Sequence, residues 1–288
     1  MTVFQDNICV NLDIFMFLQN NQCGEVLLST SKGIYLQFPT KILQITSDSF
    51  GVTPIGLGLG RYEDFLTVLS PQPGDTVSII SGKIRFPKGD LIPKYTVSED
   101  FPSPKAPHPQ AIRHCAAQLA AACKPQSVAV LSAPLLLDTA LTTEISPWCQ
   151  KARPHLVRLL AALQESDFSS ISKCVAALLG LGAGLTPSLD DVLLGILYGL
   201  LRLAPEQNNT RHLQTAIRGF APEQTHAISA AYLSAVADGA AFSRLDDILR
   251  ALGGEAPVDI TQLMKIGSTS GSEMLLGLLL AANIMIQR

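Results

Sequence analysis

Two stretches of the chain combine glycines, hydroxyl side chains and an acidic residue at the start of an apolar helix. They are residues 180–191 (GLGAGLTPSLDD) and residues 266–273 (IGSTSGSE). Alternating glycines let the backbone approach a ligand closely and take positive φ angles. A helix N-terminus offers free amides and a partial positive charge, and both favour an anion. The two stretches therefore predict a site for phosphate or a small carboxylate, with the hydroxyl groups as additional donors.

The two stretches share one design. With an offset of 82 residues, Ser188 falls on Ser270, Asp191 falls on Glu273 and Gly195 falls on Gly277. This agreement predicts two turn-plus-helix units that pack as a pseudo-symmetric pair with converging N-termini. The predicted binding residues are Gly182, Gly184, Thr186, Ser188, Asp191, Ser268, Thr269, Ser270, Gly271, Ser272 and Glu273.

A structural interpretation of the same residues stays open. Ser188 and Asp191, like Ser270 and Glu273, are three residues apart, which is the spacing of a capping box. Capping alone accounts for these four residues, although it leaves the alternating glycines and the other hydroxyl groups without a role.

Asp190 and His226 are the candidate catalytic residues. Asp190 and Asp191 together could instead hold Mg²⁺, which prefers a few carboxylates plus water and substrate phosphate; whether any metal is bound is left open. His226 begins the segment HAISAAYL on a predicted helix, on which Thr225, Ser229 and Tyr232 would share one face. A structural histidine and a solvated polar face are the alternatives.

The composition narrows the class of protein. The 288 residues are 47% hydrophobic and 16% charged, and the net charge is −3, so we expect a soluble folded protein that does not bind nucleic acid. The apolar stretch from Met274 to Ile286 is too short to span a bilayer. The N-terminal MTVFQDN does not resemble a secretory signal, and the six cysteines form no CxxC pair. We therefore expect a cytoplasmic location and reduced core cysteines.

The chain divides by composition into a β-rich region (residues 1–100), a proline-rich linker (101–109) and a helical region (110–288). This order predicts an α+β fold in which a small barrel or sandwich packs on an all-helical region. Strands are predicted at residues 8–18, 25–30, 33–38, 41–46, 76–80 and 84–87. Helices are predicted at residues 109–123, 152–164, 168–180, 188–203, 209–218, 222–238, 243–252 and 270–287. The glycine-dense residues 51–60 favour a structural turn over a ligand-binding loop.

The motifs GLGAGLTPSLDD, THAISAAYL and GSTSGSEMLLG resemble a bacterial family that carries a carboxylase label or no assigned function. One branch of this family is the AllH-type subunit of the three-part oxamate carbamoyltransferase of anaerobic allantoin breakdown. The resemblance covers the helical half of the chain well and the β-rich half weakly. Two positions depart from the family pattern: a glycine is expected where Leu189 stands, and an aspartate where Glu273 stands.

The resemblance implies a transferase subunit that works with other chains in purine catabolism. The reaction it implies converts oxalurate and phosphate into oxamate and carbamoyl phosphate, or the reverse. Such a transfer needs an anion site and donors for the developing oxyanion rather than a covalent nucleophile. A carboxylate substrate would also favour a cation, for which Arg61, Lys83, Arg85 and Lys265 are candidates. The alternative is a non-catalytic subunit that binds an anionic metabolite or serves as a scaffold.

Overall fold

The computed structural model of the chain describes residues 2–98, 103–140 and 145–287. It contains two compact units. The first comprises the chain up to residue 101 together with Ala240–Arg244, and the second comprises residues 102–239 and 245–288. An eight-stranded barrel followed by a helical region confirms the predicted α+β fold, and the β-rich part is a barrel rather than a sandwich.

The first unit is a closed barrel with the strand order β1-β5-β4-β3-β2-β6-β7-β8. Strand β1 pairs with β8 in parallel, from Thr2 opposite Gly89 to Asn11 opposite Ser98, and β4 pairs with β5 in parallel. The other neighbours are antiparallel. The strands are β1 (Thr2–Asn11), β2 (Gln22–Ser29), β3 (Gly33–Gln37), β4 (Ile42–Ser47), β5 (Gly56–Leu59), β6 (Thr76–Ile80), β7 (Lys83–Phe86) and β8 (Gly89–Ser98).

The barrel core consists of apolar side chains from these strands and from two helices, α1 (Leu12–Leu18) and α2 (Tyr62–Leu69). Phe65 of α2 packs edge-on against Phe4 and Phe86, with ring centroids 5.8 and 5.7 Å apart. Such aromatic pairs add to the free energy gained from burial alone.

Several predicted elements of the first unit are wrong. The strand predicted from residue 8 to 18 ends at Asn11, and Leu12–Leu18 is helical because its buried residues, Ile14 and Leu18, are four positions apart. The glycine-dense segment contains the predicted turn, at residues 54–55, and also strand β5, which was not predicted. A side chain on Gly58 would meet the Asp48 Cα at 3.1 Å, so the glycine permits the close packing of this strand. Helix α2 and strand β8 have no counterpart in the prediction.

The helices of the second unit lie close to the predicted ones. They are α3 (Pro109–Ala122), α4 (Ser132–Leu136), α5 (Pro147–Glu165), α6 (Phe168–Leu178), α7 (Ser188–Leu203), α8 (Asn208–Gln224), α9 (Ala227–Ala237), α10 (Ser243–Leu252, which begins in the first unit) and α11 (Ser270–Ile286). Helix α4 has no counterpart in the prediction, and the predicted break near residue 220 falls instead at Thr225. Within the described ranges, no helix is both long and apolar enough to cross a membrane.

Helices α7 and α11 form the buried centre of the helical unit. Every residue of α7 from Ser188 to Leu200 is buried, and the first twelve residues of α11 after Ser270 are buried as well. The two helices run in the same direction and touch at Gly195 and Gly277. A Cβ on Gly195 would lie 2.1 Å from the Met274 carbonyl oxygen, and a Cβ on Gly277 would lie 2.1 Å from the Val192 carbonyl oxygen. The absence of side chains at both positions lets the backbones make contact.

Candidate functional site

The loops that precede α7 and α11 meet at the start of the two helices. The Thr186 hydroxyl in the first loop lies 3.2 Å from the Ser270 hydroxyl in the second. The predicted convergence of the two stretches is therefore present in the structure. Because both helices begin at this point, the positive ends of two helix dipoles are directed toward the same place.

The carboxyl groups of the first helical turns lie near serines of the opposite helix. Ser188 of α7 lowers the pKa of Glu273 in α11, while Ser270 of α11 lowers the pKa of Asp191 in α7. The predicted capping boxes are absent. Each helix begins at its serine, Pro187 and Thr269 hold the N-cap positions, and neither makes a side-chain cap.

The first loop presents an exposed glycine backbone. Gly180, Gly182 and Gly184 have φ angles of +75°, +124° and +102°, as their alternation predicts. Residues 182–185 are exposed. A Cβ on Gly182 would lie 2.3 Å from the Ser188 nitrogen, so this glycine also allows the loop to fold against the N-terminus of α7.

Several amides at the two helix N-termini are already bonded within the protein. Leu189 donates to the Leu181 carbonyl at 2.9 Å, and Asp190 and Asp191 both donate to the Pro187 carbonyl. In α11, Glu273 donates to the Thr269 carbonyl at 3.1 Å. An anion would therefore find fewer free amides than the sequence predicts, so hydroxyl groups and cations at the loops carry more weight.

The departure at Leu189 does not distort the first loop. Leu189 is helical and buried, and its counterpart Gly271 has no positive φ. A Cβ on Gly271 would lie 1.9 Å from the Leu263 carbonyl oxygen. Close packing against residue 263, rather than backbone conformation, requires glycine in the second loop.

Asp190 is a buried carboxylate that joins three segments. Its Oδ1 accepts from the Gly180 amide at 2.7 Å, and its Oδ2 accepts from the Ser229 hydroxyl at 2.6 Å and from the Thr225 hydroxyl. Burial raises the pKa of Asp190, whereas these hydrogen bonds and the nearby His226 lower it. Three donors directed at one carboxylate indicate that Asp190 holds the first loop against the turn at residues 225–226.

His226 lies at the exposed rim of this arrangement. It is the N-cap residue of α9, and Thr225 lies between the end of α8 and His226. Thr225, Ser229 and Tyr232 therefore do not share one helix face, as the sequence had suggested. Thr225 and Ser229 nevertheless converge, because both donate to Asp190.

The second loop is supported by residues that the sequence analysis did not single out. Lys124 donates from Nζ to the Ser268 hydroxyl at 3.1 Å, and the buried Ser127 hydroxyl lies 3.0 Å from that of Ser272 and donates to Glu273 at 3.1 Å. Ser272 in turn donates to the Thr269 carbonyl at 2.6 Å. Lys124 thus places a cation beside the second loop. Of the cations that the sequence suggested for this role, Lys265 bonds to Gln262, and Arg61, Lys83 and Arg85 belong to the first unit.

Two further carboxyl groups lie behind the loops. Burial raises the pKa of Asp191 well above its ordinary value, and the charge of Glu273 raises it further against hydrogen bonds from Ser270 and Thr186. Burial also raises the pKa of Glu273, against bonds from Ser188, Ser127, Thr269 and the Val128 amide. Negative charge here would oppose a bound anion.

Asp190 and Asp191 face different neighbours, since the first bonds toward α9 and the second toward the Ser270 loop. Among the residues that the structure describes, no group of three or more His, Cys, Asp or Glu side chains is placed to hold a metal ion. A Mg²⁺ site at this pair stays a prediction.

Residues 178–282 match the family described as oxamate carbamoyltransferase subunit AllH. The match supports the predicted resemblance over 105 of the 288 residues. The AllH-matched segment begins two residues before the first loop and extends beyond the first turns of α11, so it contains both loops, Asp190 and His226. The barrel and Lys124 lie outside it. No solved structure matches the chain.

Proposed function

We propose that the chain is a subunit of a carbamoyltransferase of the oxamate and carbamoyl phosphate type. In this proposal, residues 180–187 and 266–273 bind phosphate or a small carboxylate. The observation that carries it is the 3.2 Å contact between Thr186 and Ser270, which joins two matched loops within the AllH-matched segment. Phosphate, carbamoyl phosphate and oxamate are all anions that two helix N-termini and a group of hydroxyls would attract.

A cation is needed to balance the carboxyl groups behind the loops. Asp190, Asp191 and Glu273 are all buried next to the helix N-termini, and their charges would oppose an anion. Lys124 beside Ser268 is well placed to offset them. The exposed glycine backbone at residues 182–184 and the hydroxyls of Thr186, Ser268, Thr269 and Ser270 would then supply directional donors.

His226 and Asp190 have separate roles in this proposal. His226 is exposed next to the Asp190 cluster, so it would exchange a proton with the transferred group or its acceptor. Asp190 would act as a positioning residue, because it is bonded to the first loop, to Thr225 directly before His226 and to Ser229 in α9. Hydroxyl and backbone donors would stabilise the oxyanion that develops during carbamoyl transfer.

A second candidate is a subunit that binds the anion while a partner chain performs the reaction. The observation that favours it is the engagement of Asp190 by three donors, which leaves His226 as the exposed titratable side chain of this cluster among the described residues. Both candidates require other subunits of a multi-protein enzyme. The cytoplasmic location, the role in allantoin breakdown and the carboxylase label of the wider family stay predictions.

A thermal-shift experiment tests the site. Phosphate, carbamoyl phosphate, oxamate and ATP are added to the full chain, each with and without Mg²⁺. A ligand at about 100 times its dissociation constant stabilises by roughly 2.7 kcal/mol, which raises the midpoint by about 2 °C or more. Thr186→Val and Ser270→Ala should abolish the shift, while Ser169→Ala, an exposed serine on α6, should not.

Turnover separates the two candidates. Release of phosphate from carbamoyl phosphate and oxamate by the chain alone would support the enzyme and exclude the purely binding role. Binding without turnover would support the second candidate. An equal shift in the Thr186→Val, Ser270→Ala and control variants would place the ligand elsewhere and contradict the proposed site.

A further inference from the structure

The carboxyl groups of Asp191 and Glu273 occupy equivalent positions in two packed helices. They are 2% and 1% exposed. The Thr186 hydroxyl joins the two helix starts, since it donates to Asp191 Oδ2 at 3.1 Å and lies 3.2 Å from the hydroxyl of Ser270, one turn before Glu273. The charge of Glu273 acts on Asp191.

The two carboxyl groups differ in the donors that they receive. Glu273 accepts from the Ser127 hydroxyl at 3.1 Å and from the Val128 amide at 3.4 Å. Asp191 accepts from the Thr186 hydroxyl at 3.1 Å. Hydrogen bonds to the ionised form favour that form. Glu273 is therefore the member of the pair that keeps its charge more easily.

Among the described residues, no basic side chain forms an ion pair with Asp191 or Glu273. The group that acts on Asp191 besides Glu273 is Asp190 of the same helix, which adds negative charge. The charge of Glu273 also acts on the Cys149 thiol of α5. Ser127 and the Val128 amide donate to Glu273. Lys124 bonds to Ser268 and Lys265 bonds to Gln262, while His226 acts on Asp190.

We propose that Asp191 and Glu273 together retain one proton at pH values where exposed carboxyl groups are ionised, and that this proton holds the two loops in contact. The proton resides on Asp191, which has fewer donors and lies beside the charged Glu273. When it leaves for solvent, two buried carboxylates carry like charges at the start of the two packed helices. Their repulsion separates the N-termini of α7 and α11, so the loop pair opens as the pH rises.

The direction of the pH dependence follows from proton linkage. In the unfolded chain Asp191 has an ordinary carboxyl pKa, and folding raises it. Between the two values the folded state binds one proton more than the unfolded state. The folding equilibrium constant then falls tenfold for each rise of one pH unit. The contribution is fully present below the unfolded pKa and is lost as the pH rises to the folded pKa.

Chemical denaturation of the full chain between about pH 4 and pH 9 tests this. Asp190 and Asp246 are also buried carboxyls with raised pKa values, so the difference between wild type and Asp191→Asn is the informative quantity. Between the unfolded and folded pKa values of Asp191, the folding equilibrium constant of Asp191→Asn should fall less steeply with pH than that of wild type, by a factor of ten per pH unit. Glu165→Gln, an exposed carboxyl at the end of α5, should leave the profile unchanged. Identical profiles for wild type and Asp191→Asn would overturn the proposal.

Glu273→Gln is the second arm, for the case in which Asp191→Asn does not fold. Without the neighbouring charge, Asp191 loses its proton more readily, so the loss of stability must end at a lower pH than in wild type. If the loss of stability ends at the same pH in Glu273→Gln as in wild type, the proposal is wrong.

Hydrogen exchange of the wild-type chain tests the opening itself, after correction for the intrinsic effect of pH. Peptides covering residues 180–191 and 266–273 should lose protection as the pH rises, while the peptide covering α3 keeps it. An equal loss of protection in all three peptides, or no loss in any of them, would contradict the opening of the loops.

Discussion

Gly195 lies against Met274 of the neighbouring helix, where a Cβ on the glycine would be 2.1 Å from the Met274 carbonyl oxygen. The equivalent residues on the other side of the pair, Gly277 and Val192, make the same contact in the opposite direction. The offset of 82 residues that aligns the two sequence stretches therefore also relates their contacts.

The first prediction concerns the glycines at the contact between α7 and α11. Gly195→Ala or Gly277→Ala would place a Cβ 2.1 Å from a backbone carbonyl oxygen, and backbone cannot move aside as a flexible side chain can. We expect each variant to lose about 1–3 kcal/mol of unfolding free energy, or more if the helices separate. Urea denaturation measures this.

Gly219→Ala is the matched control for that prediction. Gly219 also lies inside a helix, α8, but a Cβ there would meet nothing within 4 Å. Because alanine favours helix, this variant should gain about 0.5–1 kcal/mol. Destabilisation of all three variants to the same extent would show that close helix packing is not the cause.

The second prediction concerns an ion pair between a buried carboxylate and a partly buried arginine, which the sequence did not suggest. Arg202 donates from Nε to Asp246 at 2.9 Å, and the Tyr198 hydroxyl donates to the same carboxylate at 2.6 Å. Because Asp246 is buried, Arg202→Met would leave its charge poorly compensated, and we expect a loss of about 2 kcal/mol in unfolding free energy. The exposed pair Arg211 and Glu206 serves as control, since Arg211→Met should cost at most about 0.5 kcal/mol. Comparable losses in the two variants would contradict this account.

The sequence predicted the paired loops well because their information is local. Side-chain types at matching positions encode both helix starts, and Gly195 and Gly277 mark the contact between the helices. The capping boxes were wrong because the helices begin at Ser188 and Ser270, so Pro187 and Thr269 hold the N-cap positions. A spacing of three residues does not fix which residue a helix begins at.

Other parts of the site and fold depend on contacts between distant residues. Lys124 meets Ser268 across 144 positions of sequence, and no motif marks it. In the barrel, the apolar residues 12–18 fit a strand or a buried helix equally well by composition. The packing of Ile14 and Leu18 into the barrel core decides for the helix.

The third prediction concerns the cysteines, which the sequence suggested are reduced core residues. Cys115, Cys149 and Cys174 are buried free thiols, but Cys23 is exposed, so the core prediction is wrong at this position. Burial raises the pKa of Cys115 to about 12, so almost none of it is the reactive thiolate at neutral pH.

Alkylation of the native chain should therefore label Cys23 rapidly and Cys115, Cys149 and Cys174 only after unfolding. Mass spectrometry of the separated peptides measures each site on its own. Labelling of Cys115 at the rate of Cys23 in the native chain would contradict the buried placement of α3.

The fourth prediction concerns the cation beside the second loop. If an anion binds there, Lys124→Met removes a positive charge next to Ser268, and we expect phosphate to bind about three- to tenfold more weakly. The difference should shrink as salt is added, because ions screen an exposed charge. Isothermal titration with phosphate at low and high salt measures both effects. Lys173→Met, which removes an exposed lysine from α6, should leave the phosphate affinity unchanged. An equal loss of affinity in Lys124→Met and Lys173→Met would show that only the net charge of the protein matters.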